Sequence, residues 1–337
     1  MKQDKIFTDQ YIVITGAAGF IGSAVVDHLN KQNLSNLILV DDFQEEGKWK
    51  NLRNKKFAEI ISKHELFDWL DGRESEIEAF IHLGACSSTI ESDTDFLIDN
   101  NYKYSIMLAE YAIQNEHRFI YASSAATYGS GEAGFSDDHD ILDELSPLNP
   151  YGFSKHLFDL WLYRNKLLDK VIGLKYFNVF GPNEYHKKTM ASMVYHMFHK
   201  IQKDGFVSLF KSNEPDKYKD GEQLRDFIYV KDAVKITCDM LLKAFKDVSG
   251  IFNVGRGKAV TWNDLAKATF EAMGKKEDIR YIDIPQELTG QYQNYTQAEM
   301  EKYEELLKKQ GKSFEYTDVF QAVKEYVNDY LTPGQFL

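Results

Sequence analysis

The stretch TGAAGFIGS at residues 15–23 constrains this 337-residue chain more than any other. It sets Gly16, Gly19 and Gly22 three apart, between an apolar run, YIVIT (11–15), and a helical stretch over 20–30. So tight a passage from strand to helix needs residues without a Cβ, which turn the backbone sharply and let neighbouring segments close on it. The alternation then repeats. NLILV (36–40), AFIHL (79–83) and RFIYAS (118–123) read as strands, with a helix across 95–115. Short apolar runs linked by longer amphipathic ones predict parallel strands with crossover helices, an α/β fold with a Rossmann-type doubly wound sheet.

Pro150 opens another helix, followed by a strand at VIGLKYF (171–177), and from Gly181 the rhythm loosens. Helices near 189–203, 231–245, 261–273 and 296–309 and strands near 206–210, 225–230 and 250–254 predict a smaller mixed C-terminal lobe. Residues 1–180 are thus expected to be mainly a dinucleotide-binding domain. Residues 181–337 are expected to be mainly a substrate lobe, with some chain crossing between the two. The polar stretch KSNEPDKYKDGEQ (211–223) reads as a surface loop.

The glycine turn points to a ligand. A pyrophosphate approaches where no Cβ blocks it, and the start of the helix, at Phe20, Ile21 and Gly22, offers free N–H groups and a partial positive charge. Asp41 and Asp42 close the second strand, where a carboxylate accepts hydrogen bonds from the adenosine ribose. Read alone they favour NAD, since a 2′-phosphate would meet like charge unless cations such as Lys48, Arg53 and Lys63 compensate. HLGACSST (82–89) leaves the next strand on small residues, so Leu83, Gly84, Ala85, Cys86 and Ser87 are candidates to approach the dinucleotide. Cys86 has no basic neighbour in sequence to activate it and reads as a packed small residue. Asn100, polar within a helix, is a candidate for a contact to the cofactor or the sheet.

YASSAATYG (121–129) brings hydroxyls to the carboxyl edge of the sheet, where open α/β folds bind ligands, so Ser124 and Thr127 are candidates to hold a substrate oxygen. Of twenty tyrosines only Tyr151 has a lysine four places on, Lys155, one helical turn away on the same face. A phenol ionises near pH 10, but an ammonium and an oxidised nicotinamide nearby would stabilise its anion as it takes an alcohol proton.

A formal charge of −12 argues against broad contact with nucleic acid or anionic lipid. The polar start MKQDKIFTDQ and the lack of a long apolar run predict a cytoplasmic protein without a membrane span. Two cysteines with no metal-ligand spacing predict reduced thiols and no metal site.

TGAAGFIG, YASSAATYG, YGFSK, YFNVFGP and LRDFIYVKD together resemble the extended short-chain dehydrogenase/reductase family of nucleotide-sugar epimerases and dehydratases. Within it, GACSST, DNNYKYS, YFNVFGPNEYHKKTMASM and LTGQYQNYTQAEM are similar to the ADP-heptose 6-epimerases, which supply heptose for lipopolysaccharide. This resemblance implies an isomerase that oxidises C6 of an ADP-sugar transiently with a tightly held cofactor and re-reduces it from the opposite face. It implies Lys187 as a second acid/base group opposite Tyr151, with Lys188 adjacent, and Val179 and Lys187 beside the cofactor. It also implies substrate contacts at Ser124, Asn178, Thr189, His196, Phe210, Arg225 and Tyr292, of which Arg225 suits a pyrophosphate. Lys48 and Lys63 match cations of relatives that hold NADP, so NADP is the expected cofactor, with NAD as the alternative. A homo-oligomer is implied as well. A UDP-sugar 4-epimerase would use the same Ser124, Tyr151 and Lys155. A 4,6-dehydratase would need acids where Ala125 and Ala126 stand, and a non-catalytic NAD(P)-binding sensor would need no such set of residues.

Overall fold

The computed structural model describes residues 10–44, 47–286 and 292–337. The chain begins with β1 (Tyr11–Thr15), α1 (Phe20–Lys31), β2 (Leu37–Asp41), β3 (Glu59–Ser62), α2 (Leu66–Leu70) and β4 (Ile77–His82). A long helix follows in three parts: α3 (Thr94–Leu97), a π-helical segment (Ile98–Lys103) and α4 (Tyr104–Gln114). Then come β5 (Arg118–Ser124), α5 (Pro150–Arg164), β6 (Val171–Tyr176), β7 (Asn178–Phe180), α6 (Met193–Asp204), β8 (Val207–Phe210), β9 (Leu224–Arg225), β10 (Phe227–Tyr229) and α7 (Val230–Asp239). The remainder forms β11 (Gly250–Val254), β12 (Val260–Thr261), α8 (Trp262–Ala272), β13 (Ile279–Ile282), α9 (Glu301–Lys309) and α10 (Val319–Glu325).

Seven of these strands make one parallel sheet in the order β11-β6-β5-β4-β1-β2-β3. The order reverses between β1 and β4, so the carboxyl ends of those strands diverge and open a crevice there. Helices cover the faces, and the inner strands β1, β2 and β4 are apolar and buried almost throughout, as a sheet covered on both sides requires. Among the described residues the other strands pair in three two-stranded sheets, β10-β7, β12-β9 and β13-β8.

The strand expected at 225–230 is broken at Asp226, because β9 pairs antiparallel with β12 while β10 pairs parallel with β7. The Asp226 carboxylate sits fully buried at the break and accepts N–H bonds from Arg256 (2.8 Å), Gly257 (2.9 Å) and Ala298 (3.0 Å). Gly250–Val254, expected in the smaller lobe, is instead the edge of the central sheet, paired with β6. The helix expected at 189–203 starts later, at Met193, where Ser192 caps it. The helix expected from 296 starts at Glu301, after an extended path in which Tyr295 bridges to Leu224. Among the described residues no helix is long and apolar enough to cross a membrane.

Candidate active site

A cleft of about 860 Å³ opens at the crevice between β1 and β4. Its floor is the glycine turn. Gly16 has φ +68°, and a Cβ there would sit 2.7 Å from the Gly84 nitrogen, so the loops after β1 and β4 touch with no side chain between them. Gly19 caps α1 without a side-chain hydrogen bond, leaving first-turn N–H groups to face the cleft. These observations fit a dinucleotide: a groove floored by glycine backbone, with uncapped donors at the level of a pyrophosphate.

Asp41 departs from expectation. It is buried, with Oδ2 accepting the Ala18 N–H of the glycine turn (2.7 Å) and Oδ1 accepting the Asp42 N–H (2.7 Å) and Lys48 Nζ (2.5 Å). The carboxylate thus ties β2 to the turn. The more accessible carboxylate is Asp42, which pairs with Lys63 (3.0 Å), a contact that holds its pKa down against desolvation. Lys63 also donates to Asn100 Oδ1 (3.1 Å).

The wall formed by Leu83–Ser87 is held from behind by Asn101, which sequence reasoning missed. Asn101 is buried in the π-helical segment, accepts the Cys86 N–H (2.9 Å), donates to the Cys86 carbonyl (2.9 Å) and to Ser154 Oγ on α5 (3.0 Å). His82 links β1 to this helix through Thr15 Oγ1 (2.6 Å) and Ser105 Oγ (2.9 Å), and burial pushes its pKa down to about 3, so it is neutral.

Tyr151 and Lys155 reach the cleft from α5. Asn149 caps that helix by accepting the Gly152 N–H (2.8 Å), and Pro150 at its first turn is pre-set for helical φ. A Cβ on Gly152 would lie 2.7 Å from the Ala126 carbonyl oxygen, so glycine is what lets α5 lie against the loop after β5. This close packing sets Tyr151 in the same cleft as Ser124. Burial raises the phenol's pKa, and the nearby Ser124 side chain draws it part of the way back. Lys155 is 4% exposed and donates to the Ala122 carbonyl (2.8 Å); burial lowers its pKa to about 8, against the attraction of Asp159.

Thr127 does not face the cleft. It is fully buried, donates to the Ser124 carbonyl (2.8 Å) and accepts Lys175 Nζ (2.6 Å). Lys175 on β6 forms a buried ion pair with Asp159 on α5 (2.8 Å). Asp159 in turn accepts Ser123 Oγ (2.7 Å) and the Tyr121 hydroxyl (2.9 Å), so charged and hydroxyl groups brace the chain before Ser124 as Lys175 braces Thr127 after it. Neither Asp159 nor Lys175 was singled out from sequence.

The far wall carries Asn178, Val179, His186 and Lys187. Lys187 Nζ stands 5.7 Å from the Phe20 ring, whereas Lys188 is exposed and strained, at φ +51° and ψ −119°. The backbone turns Lys187 into the cleft and Lys188 out of it. Thr189, His196, Phe210, Arg225 and Tyr292 do not line this cleft. His196 contacts the Thr189 carbonyl (3.2 Å). Phe210 packs edge-on to Tyr292 at 5.7 Å, and the buried Arg225 guanidinium lies 5.3 Å from the Tyr292 ring and 5.7 Å from Trp262. Arg225 also donates to the carbonyls of Leu224 and Gln293, and burial lowers its pKa to about 10. Trp262, also missed from sequence, lines the cleft and joins it to this second cluster. Of the LTGQYQNYTQAEM block (288–300), residues 288–291 lie outside the described residues.

The comparisons agree with this architecture. The sequence model described as the NAD dependent epimerase/dehydratase family matches residues 12–255. An ADP-L-glycero-D-manno-heptose-6-epimerase of Nitratidesulfovibrio vulgaris (strain DP4) is 46% identical over 321 residues, 95% of this chain and 97% of that protein. One from Fusobacterium nucleatum is 45% identical over 331 residues, 95% of this chain and 98% of its own. Among solved structures, the Helicobacter pylori ADP-L-glycero-D-manno-heptose-6-epimerase superposes with a TM-score of 0.76 at 28% identity, covering 95% of this chain and 96% of that one. The UDP-N-acetylglucosamine 4-epimerase of Methanobrevibacter ruminantium reaches the same TM-score at 25% identity, covering 97% and 100%. The glycine-floored cleft, the Ser124, Tyr151 and Lys155 set and these matches have one source: the chain belongs to the NAD dependent epimerase/dehydratase family.

Proposed function

We propose that this protein is an isomerase that inverts C6 of ADP-glycero-manno-heptose with a resident nicotinamide cofactor. The observation that carries the proposal is the placement of Ser124, Tyr151, Lys155 and Lys187 in one cleft at the carboxyl edge of the sheet, on a chain alike over 95% of its length to enzymes of that name. When bound, the oxidised nicotinamide supplies a hydride acceptor at the sugar carbon and a positive charge beside the phenol. Gly16, Gly19 and the start of α1 hold its pyrophosphate, and Lys155 orients its ribose. Ser124 would hold the reacting oxygen while Tyr151 takes its proton on one face, and Lys187 would return a proton to the same oxygen when the sugar presents its other face. Tyr151 is a neutral phenol before ligands arrive, since burial keeps its pKa up. It becomes a base for the first step only when positive charge comes close.

Arg225, Tyr292, Phe210 and Trp262 are assigned to the ADP end of the substrate. A guanidinium beside two aromatic rings suits an adenine face and a phosphate. For the cofactor we favour NADP over NAD: Asp41 and Asp42 are each paired with a lysine, so a 2′-phosphate meets balanced charge. Homo-oligomer formation is supported by exposed Phe96, Met107 and Phe153 on adjacent helices. The deciding experiment incubates the protein with ADP-D-glycero-D-manno-heptose and follows the product epimer by NMR. Conversion is expected; its absence, with turnover of UDP-galactose instead, overturns the substrate assignment. The nucleotide that co-purifies, identified by mass, tests the choice of NADP.

A further inference from the structure

Residues 335–337 are bonded to the segment that carries Lys187. The Tyr185 hydroxyl donates to the Gln335 carbonyl (2.7 Å), and the Leu337 N–H donates to Asn183 Oδ1 (2.9 Å). Phe336 lies edge-on to Tyr185 at 4.9 Å, and the Arg53 guanidinium stands 4.8 Å from the centre of the Phe336 ring. Lys55 donates to the Leu337 carbonyl (2.6 Å) and pairs with Asp27 of α1 (2.5 Å).

Asn183 is the hub of this arrangement. It is fully buried with φ +79°, a left-handed conformation that asparagine tolerates, and its Nδ2 donates to Ser23 Oγ in the first turn of α1 (3.0 Å). Its carbonyl accepts Asn51 Nδ2 (3.1 Å), and the same Asn51 amide donates to the Ala18 carbonyl in the glycine turn (2.9 Å) and contacts His186 Nδ1 (3.2 Å). The 183–187 segment therefore rests on the glycine turn from one side and is held by residues 335–337 from the other. A dinucleotide in the groove has this segment as one wall.

We propose that Gln335–Leu337 form a strap whose Phe336 and Leu337 position the Asn183–Lys187 segment against the glycine turn and so set how slowly the bound dinucleotide leaves. The inference rests on the dinucleotide reading of the cleft but not on the identity of the sugar. Phe336 and Asn183 are positioning residues: they act through the segment and not on the reacting atoms.

The test is stopped-flow displacement of bound NADPH by excess NADP, followed by nicotinamide fluorescence, with NADH and NAD in parallel. It compares the full chain, Phe336→Ala, Phe336→Tyr and a chain ending after Gly334. Loss of the ring's contacts with Tyr185 and Arg53 predicts release about 10-fold faster in Phe336→Ala, and loss of the three hydrogen bonds as well predicts release up to about 100-fold faster in the shortened chain. Phe336→Tyr, which keeps the ring, should stay within about twofold of the full chain. A strap that only stabilises the fold would lower the melting temperature of the ligand-free protein while leaving release unchanged, and that result overturns the proposal. Should the shortened chain fail to fold, release from Phe336→Ala at the rate of the full chain overturns it equally. A full chain that binds neither dinucleotide would overturn the functional reading, and the strap's role with it.

Discussion

Lys155→Met should make the ligand-free protein more stable at neutral pH while abolishing its activity. Lys155 is 4% exposed, and burial has lowered its pKa from 10.5 to about 8. An unfolded chain keeps this proton until about pH 10.5, whereas the folded one releases it near pH 8. Below pH 8 both states are charged and the cost of burying the ammonium is fully present. Between about 8 and 10.5 the unfolded state binds more protons, so stability from this group rises with pH. At about 1.4 kcal/mol per pK unit, the gap corresponds to roughly 3 kcal/mol. Methionine keeps most of the stem but forfeits the bond to Ala122, worth about 1 kcal/mol, which leaves a net gain of roughly 2 kcal/mol at pH 7. Urea denaturation of both proteins at pH 7, 8.5 and 10 reads this directly, because other titrations cancel in the difference. The variant's advantage should shrink steadily towards pH 10. A difference constant across that range, or a variant less stable at pH 7, would refute the claim that the fold holds this lysine charged at a cost.

Tyr151→Phe should lower turnover by about 10²- to 10⁴-fold while dinucleotide binding, read by fluorescence, stays within a few fold; near-normal turnover would remove Tyr151 as the proton-transfer group. Lys187→Met should impair conversion of one heptose epimer into the other more than it impairs reduction of the bound cofactor by substrate, and equal loss in the two assays would make Lys187 a binding residue only. Asp159→Asn leaves Lys175 buried without its counter-charge and should cost about 3–5 kcal/mol in urea denaturation, whereas Asp159→Leu combined with Lys175→Met should recover most of that loss. A single variant costing under about 1 kcal/mol would show that the pair is not the brace it is taken to be.

The parts of the site that could be read from sequence are those whose residues lie close along the chain. The glycine turn sits within nine residues, Tyr151 and Lys155 within one helical turn, and Ser124 at the end of an apolar run. Gly152, between Tyr151 and the rest of the motif, looked incidental until its contact with the Ala126 carbonyl explained why α5 can lie so near Ser124. What escaped notice depends on partners far apart in sequence. Asn101 matters through Cys86 and Ser154, and Trp262 through Arg225 and Tyr292. A signal for Lys175 was present: a cation inside VIGLKYF, an otherwise apolar strand, requires a buried partner. Asp159, four residues beyond Lys155, could have been proposed as that partner. The edge strands β3 and β13 were missed because they are short and largely exposed, so they lack the apolar run that marks an inner strand.

Asp41 shows how a residue read as a ribose contact can carry a second task within the protein. An acidic residue at the end of the second strand suggests a ribose contact because that is where the adenosine lies. Here the loop after β2 returns Lys48 to the same carboxylate, and the glycine turn donates Ala18 N–H to it, so both oxygens are already engaged. The charge that would repel a 2′-phosphate is thus neutralised within the protein, and Asp42 is neutralised likewise by Lys63. On the NADP reading proposed above, the two carboxylates and two ammonium groups at this rim make cofactor choice a matter of which pair opens. A 2′-phosphate can draw Lys63 from the more exposed Asp42 at little cost. A free ribose 2′-hydroxyl offers the lysine nothing comparable in exchange, and this asymmetry is the physical ground for favouring NADP.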